Sequence, residues 1–221
     1  TVWARPASAT NRILLINQVN DGVLSGVVIS NGFAYGVHPA GSGGGLYINA
    51  STNVLLENCQ VVTNRIRHDT LNGGDIYGAG LYAINSRLTI SNCLFFRNYG
   101  QTISVSTHAR ANGGGMCVVA GEVTVRDSQF LQNTLQSDYG VGFSRGAGLY
   151  VNGTGDVGRA VFRGNRCWSG ATRLGDGLFL AGGRHTVRQT LFLDGQYHGV
   201  YQEGASTRTL LENCTIVSNG T

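Results

Sequence analysis

Two short patterns recur along this chain in step with one another, and a shared period restricts the fold more than any other feature. The first is a glycine-rich triplet running into an apolar residue. It appears as GGGL ending at Leu46, GAGL at Leu81, GGGM at Met116, GAGL at Leu149 and GDGL at Leu178, with a weaker copy at Val200. The second is an apolar residue three places before Asn: Val28/Asn31, Val61/Asn64, Phe95/Asn98, Phe130/Asn133, Phe162/Asn165 and Ile216/Asn219. Phe192/Gly195 fills the gap with Gly. Asn and Gly both tolerate the left-handed conformation, so one backbone demand accounts for both residues.

Between the two patterns the residues alternate with period two. In the stretch Gly78 to Asn98, Leu81 and Ala83 alternate with Tyr82 and Ile84, and Leu88 and Ile90 alternate with Thr89 and Ser91. That alternation reads as short strands joined by tight bends. No window places apolar residues at helical spacing. Ankyrin and tetratricopeptide arrays, which share the period but need helices, therefore drop out. The remaining solution is a solenoid of stacked strands, a single-stranded right-handed parallel β-helix of about seven coils. It is one domain over residues 1–221, with loops stacked on one side.

The composition agrees. Hydrophobic residues make up 42%, enough for a core, and the 34 Gly among 221 residues fall at periodic positions instead of forming a low-complexity tract. No run approaches the length of a membrane-spanning segment. The sequence shows no signal peptide, but it starts inside a repeat, which is consistent with removal of one by processing or trimming. The net charge is +4, every basic residue is Arg, and no basic stripe or motif points to nucleic acid.

Aligned coils give columns. Leu46, Leu81, Met116, Leu149, Leu178 and Val200 point inward, as do Ile48, Ala83, Val118, Val151 and Leu180. Val61, Phe95, Phe130, Phe162, Phe192 and Ile216 form a third inward column whose rings can stack. Gly26, Cys59, Cys93, Ser128, Ala160, Thr190 and Cys214 form a fourth, which shares small size. Beside it Asn58, Asn92, Asp127 and Asn213 mark a bend where a side-chain ladder can form. The spacing from the lead residue to the Asn position is nearly constant. The return path varies and shrinks to almost nothing between Gly195 and Val200, so the loops lie in the return path, where function usually sits.

The GG[AG]-[LIVM] lead with F-x-x-N, literal at Phe95–Asn98, Phe130–Asn133 and Phe162–Asn165, resembles the repeat pair of chlamydial polymorphic outer-membrane proteins. More broadly it is similar to the parallel β-helix repeats of bacterial surface proteins, which share their fold with pectate lyases. The likeness runs from about Ile13 to Asn219. It implies the fold and an extracellular or cell-surface location; function does not follow from fold. The related lyases use an Arg or Lys base with an acidic calcium cluster, and the related hydrolases use clustered Asp. Here the twelve acidic residues are spread singly. A pair such as Asp138 with Asp176 could meet between coils, yet no spacing singles it out.

Five Cys cannot all pair, and no C-x-x-C spacing suggests zinc, so the Cys read as buried structural thiols. The five His, namely His38, His68, His108, His185 and His198, read as solvated loop residues. No metal or cofactor follows from either set. The residue after each lead forms one further column: Tyr47, Tyr82, Tyr150, Phe179 and Tyr201, interrupted by Cys117. Alternation turns it outward. Exposed rings can stack on sugars, which makes these five the candidate ligand-binding residues. The competing reading is that loops fold back over them as a second small core, with cover least expected at Phe179 and Tyr201.

The sequence therefore points to a non-catalytic extracellular structural or adhesive β-helix. The alternative is a polysaccharide-binding or polysaccharide-degrading module. Neither end shows a cap, so the chain reads as part of a longer solenoid or as a subunit that self-associates head to tail. Glycan is the other partner expected.

Overall fold

The computed structural model describes residues 10–69, 74–103, 109–138, 142–169, 172–217 and 219, apart from the side chains of Asp138 and Ser169. Every regular element among them is a β-strand, and all strand pairs are parallel. The lead strands Leu14–Asn17, Leu46–Asn49, Leu81–Ile84, Met116–Arg126, Leu149–Gly158, Leu178–Ala181 and Val200–Glu203 stack rung on rung. The strands that follow them in each coil stack beside them. The long strands Met116–Arg126 and Leu149–Gly158 run through both columns and fuse them into one 12-stranded sheet. A 7-stranded sheet follows, then a 5-stranded and a 4-stranded one. The first three strand columns are seven rungs deep, whereas the last two sheets are only five and four strands deep. The solenoid thus has about five complete turns, not seven.

The register confirms the inward columns. Leu46, Leu81, Met116, Leu149 and Leu178 are fully buried, as are Ile48, Ala83, Val118, Val151 and Leu180. Phe95, Phe130, Phe162 and Phe192 stack inside, with centroids 4.7, 4.7 and 4.9 Å apart and planes within 12° of parallel. That separation is the rung spacing of a sheet, about 4.8 Å, so the backbone ladder itself sets the stacking distance.

Coil one sits one residue away from the expected register. Ile29, not Val28, pairs with Val61, and Val28 is 58% exposed. Likewise Gly26 belongs with the bend residues, because Ser25 pairs with Glu57 and Gly26 therefore lies opposite Asn58. Val27 takes its place opposite Cys59. In that column the shared property is chemical as well as steric. Cys59, Cys93, Ser128, Thr190 and Cys214 each donate from Sγ or Oγ to the carbonyl two residues back.

The role expected for the Asn positions also changes. Positive φ at that bend falls on Asn31 as expected, but in the later coils on Thr63, Arg97, Gln132, Gly164 and Asp194, each one place before the expected position. Asn64, Asn98, Asn133 and Asn165 do something else. Each Oδ1 of Asn98, Asn133 and Asn165 accepts the backbone N–H and the Nδ2–H of the Asn one rung before, at 3.0–3.1 Å. Each Nδ2 also donates to a carbonyl of the previous rung, such as Asn133 to Phe95 O at 3.0 Å. Gly32 and Gly195 give their N–H groups to Asn64 and Asn219. The four Asn are buried, so this ladder satisfies polar groups that water cannot reach. At the other bend the ladder is exposed and broken. Asn92 donates to Asn58, whereas Asp127 takes Arg159.

The return path is sheet, not loop. Arg65–His68, Tyr99–Ile103, Thr134–Asp138 and Arg166–Ser169 stack on Phe33–Tyr35 as the 5-stranded sheet. Ile76–Tyr77, Arg110–Asn112, Phe143–Arg145 and Thr172–Leu174 form the 4-stranded one. Ala34, Ile66, Ile76, Ala79, Ala111, Leu135, Ala147 and Cys167 make a second core between them. Gly100 stands between Ile66 and Leu135, and a Cβ there would meet Leu135 at 2.9 Å, so a small residue is required.

Both return sheets stop before coil six, whose return path is the short Gly195–Gly199 segment. Asp176 seals the edge they leave. It replaces the Ala79 and Ala147 of earlier leads and is fully buried. Its carboxylate accepts the N–H of Cys167 at 2.7 Å and that of Tyr197 at 2.5 Å. Desolvation pushes its pKa up to about 6, against the lowering effect of the N–H donors and of His198. A folded pKa above the unfolded one, about 3.9, means that the folded chain binds the proton more tightly. The stability from this group is full below about pH 4 and lost as pH rises through about 6. Asp176→Asn is therefore expected to flatten the profile. Between pH 7 and pH 4 the parent should gain about 2–3 kcal/mol relative to the variant, read from urea midpoints at each pH. A gap that stays constant with pH would show that Asp176 titrates normally.

Candidate functional site

The column of Tyr47, Tyr82, Cys117, Tyr150, Phe179 and Tyr201 is in register, and it turns away from the main core. It is not an exposed ladder. Tyr82, Cys117, Tyr150 and Phe179 are buried in a third core, with Tyr47 and Tyr201 half-buried at its two ends. Tyr77 and Leu174 of the 4-stranded sheet pack over it. Phe179, expected to be among the least covered, is fully buried. Tyr201 stacks on it at 5.5 Å and the Arg145 guanidinium lies 5.4 Å from its centroid. Burial pushes the phenols of Tyr77 and Tyr82 well up, and that of Tyr150 to about 12. The rings of Tyr82, Tyr150 and Phe179 have no open face on which a sugar could stack.

Two histidines are buried, contrary to the expectation of solvated loops. His68 is in the return-path sheet. His185 sits in an inward column of the main core, opposite Gly155, whose missing Cβ leaves it room. Its Nε2 lies 2.5 Å from the Gly182 carbonyl, and desolvation lowers its pKa. His38 meets Tyr77 and Tyr82 edge-on, at 5.2 and 5.4 Å, and His198 is exposed beside Tyr201. His108 lies outside the described residues. Among the described residues no group of three or more His, Cys, Asp or Glu could hold a metal ion.

The five Cys are free thiols, and Cys59, Cys93, Cys117 and Cys167 are buried. Burial raises Cys93 to about 11, and raises Cys117 and Cys167 well above the ordinary thiol value. Thiols held in that form are poor nucleophiles.

The acidic residues are engaged in pairs. Eight of the twelve form ion pairs with Arg: Asp69, Asp75, Glu122, Asp127, Asp156, Asp194, Glu203 and Glu212. Most of these pairs join one rung to the next, as in Arg87–Glu122 at 2.8 Å, Arg159–Asp127 at 2.7 Å and Arg163–Asp194 at 2.9 Å. The planar guanidinium fork spans one rung and meets a carboxylate with two donors, as Arg159 does with Asp127. Lysine has no such fork, which gives the Arg-only composition a physical use. Asp138 has no described side chain, and Asp176 is the buried cap above, so the two do not form a described pair.

An open groove lies elsewhere, at the junction of the 7-stranded and 5-stranded sheets. A groove of about 670 Å³ is lined by Phe96, Leu131, Gln132, Thr134, Arg163, Gly164, Arg166 and Asp194. Phe96, Leu131 and Arg163 share one outward column, and Thr134 and Arg166 another. Two residues beyond Arg166, on the same outer face, Trp168 is 45% exposed. Arg163 is held by Asp194, and Arg97 donates to Gln132 at 3.0 Å while lying over the Phe96 ring. The groove was not legible in the sequence, because its walls come from four separate coils. The signal for it is the outward half of the return strands, Arg65, Tyr99, Thr134 and Arg166, once these are aligned as strands.

No family model matches this chain, and neither the curated proteins nor the solved structures contain a match.

Proposed function

We propose that this chain is a non-catalytic extracellular structural or adhesive β-helix. The observation that carries the reading is the use of the carboxylates. Of the twelve carboxylates that could supply acid, base or calcium ligands in an enzyme, eight are paired with Arg, most of them from rung to rung, and Asp176 is buried as a backbone cap. The resemblance of the lead and F-x-x-N repeats to polymorphic outer-membrane proteins supports a surface location. The reading includes head-to-tail self-association. Leu211 and Ile216 belong to inward columns, yet in the last described rung they are 47% and 46% exposed. A further rung would cover them, supplied either by more of a longer solenoid or by a second copy, and in the second case such heterologous contacts repeat into filaments.

Electron micrographs of the purified chain over a concentration series test the assembly. Rods that lengthen end to end are expected, and single short particles at the highest concentration would contradict it. Incubation with pectic and other acidic polysaccharides tests the absence of catalysis. No new reducing ends or unsaturated products are expected, and turnover would favour the degrading module instead.

A further inference from the structure

We propose that the groove between the 7-stranded and 5-stranded sheets, with Trp168 at its rim, binds an anionic polysaccharide, one bearing carboxylate or sulfate groups. This deepens the adhesive half of the reading above and rests on it.

Charge comes first. Arg65, Arg67, Arg97, Arg163 and Arg166 lie on this face and its bend, and the described carboxylates that meet them are Asp69 and Asp194. Five cations against two anions make this a positive strip on a chain whose whole net charge is only +4. Arg166 is exposed and has no carboxylate partner among the described residues, unlike Arg163 one strand away. An exposed guanidinium beside a groove presents two parallel donors to a carboxylate or sulfate.

Shape comes next. The groove draws residues from four successive rungs, from Phe96 through Leu131 and Arg163 to Asp194. Three rung steps span about 14 Å, so the groove runs along the solenoid axis and suits an extended chain of a few sugar rings. Its volume lies in the range of ligand sites, roughly 300–1,000 Å³. Gly164 contributes no side chain, and a Cβ there would meet nothing closer than Gln132 Cγ at 3.6 Å, which leaves the floor open.

The mixture of groups decides the ligand class. Phe96 and Leu131 give an apolar floor, Gln132 and Thr134 give amide and hydroxyl groups, and Trp168 offers an exposed indole. An indole face stacks on the C–H face of a sugar, and amides and hydroxyls match sugar hydroxyls. A strand of nucleic acid would ask for a longer basic track with several stacking rings. The face has one well-exposed ring beside the groove.

The test is affinity electrophoresis of the full chain through gels holding polygalacturonate, dextran sulfate or uncharged dextran. Retardation is expected in at least one anionic gel and none in dextran. The stronger of the two anionic gels tells carboxylate from sulfate. Arg166→Gln should weaken retention at least tenfold, and Trp168→Ala at least fivefold, with thermal unfolding unchanged because both side chains are exposed. Three results would overturn the site: no retardation in either anionic gel, retention unchanged in Trp168→Ala, or full displacement by an oligodeoxythymidylate at equal charge. If rods form in the micrographs but no glycan retains the chain, the groove assignment alone falls and the scaffold reading stands.

Discussion

Phe130→Ala is expected to lower stability by about 3–5 kcal/mol. The ring is fully buried and lies between Phe95 and Phe162, 4.7 Å from each. Removing it leaves a slot one ring thick, and the backbone ladders on either side prevent collapse. Two neighbours each lose a stacked face, in addition to the apolar area that Phe130 itself buries. Urea denaturation at neutral pH measures the loss. The adjacent Gln129 points out on the same strand, and its Ala variant should change stability by less than about 0.5 kcal/mol. A Phe130 loss under about 1 kcal/mol would place the ring outside the core.

Asn133→Ala is expected to cost a similar amount, about 3–5 kcal/mol, by a different route. No large volume is lost. Instead the Asn98 N–H and Nδ2–H lose their acceptor, and Phe95 O and Asn165 Oδ1 lose a donor. All of these groups are buried, and each unsatisfied polar atom costs about 1–3 kcal/mol before relaxation. Asn133→Asp keeps the size and the acceptor but removes the donor, placing an oxygen against the Phe95 carbonyl. It should be no better than Ala. If Asp restores the parent stability, the donor half of the ladder contributes nothing.

The two variants sit three residues apart and report on opposite sides of what the sequence disclosed. The Phe column was legible because one residue type recurs at one spacing, and the register of Phe95, Phe130, Phe162 and Phe192 follows from it. The Asn column was visible too, but its purpose was misread. Asn and Gly are both common in left-handed turns, so Asn98 and Gly195 suggested a backbone role. The positive φ belongs to Arg97 and Asp194 instead, and Gly195 is a member of the ladder that can only donate. The same degeneracy moved coil one by a residue, because Asn31 and Gly32 both fit the pattern.

The return sheets were hidden for another reason. Ile66, Gly100, Leu135 and Cys167 occupy one inward column and share no chemical type. Their strands are only four or five residues long, with Arg and Gln on the outer side. Read singly, such segments look like polar loops. The misreading carried over to the aromatic column. Tyr82 and Phe179 do face away from the first core, as alternation requires, but a second layer waits there. Alternation fixes which side of a strand a residue takes; it does not say what lies on that side.

Buried Asn side chains hold the rungs in register, and the outer columns that build the groove depend on that register. Amide hydrogen exchange at Asn98 tests this most directly. Its N–H is bonded to the Asn133 Oδ1 at 3.1 Å and, among the described residues, to no backbone carbonyl. The prediction is slow exchange at Asn98 in the parent and fast exchange in Asn133→Ala, while Asn133 itself is bonded to Asn165 and marks the next step of the ladder. An Asn98 amide that exchanges at the unprotected rate in the parent would contradict the ladder, and with it the alignment of every column described above.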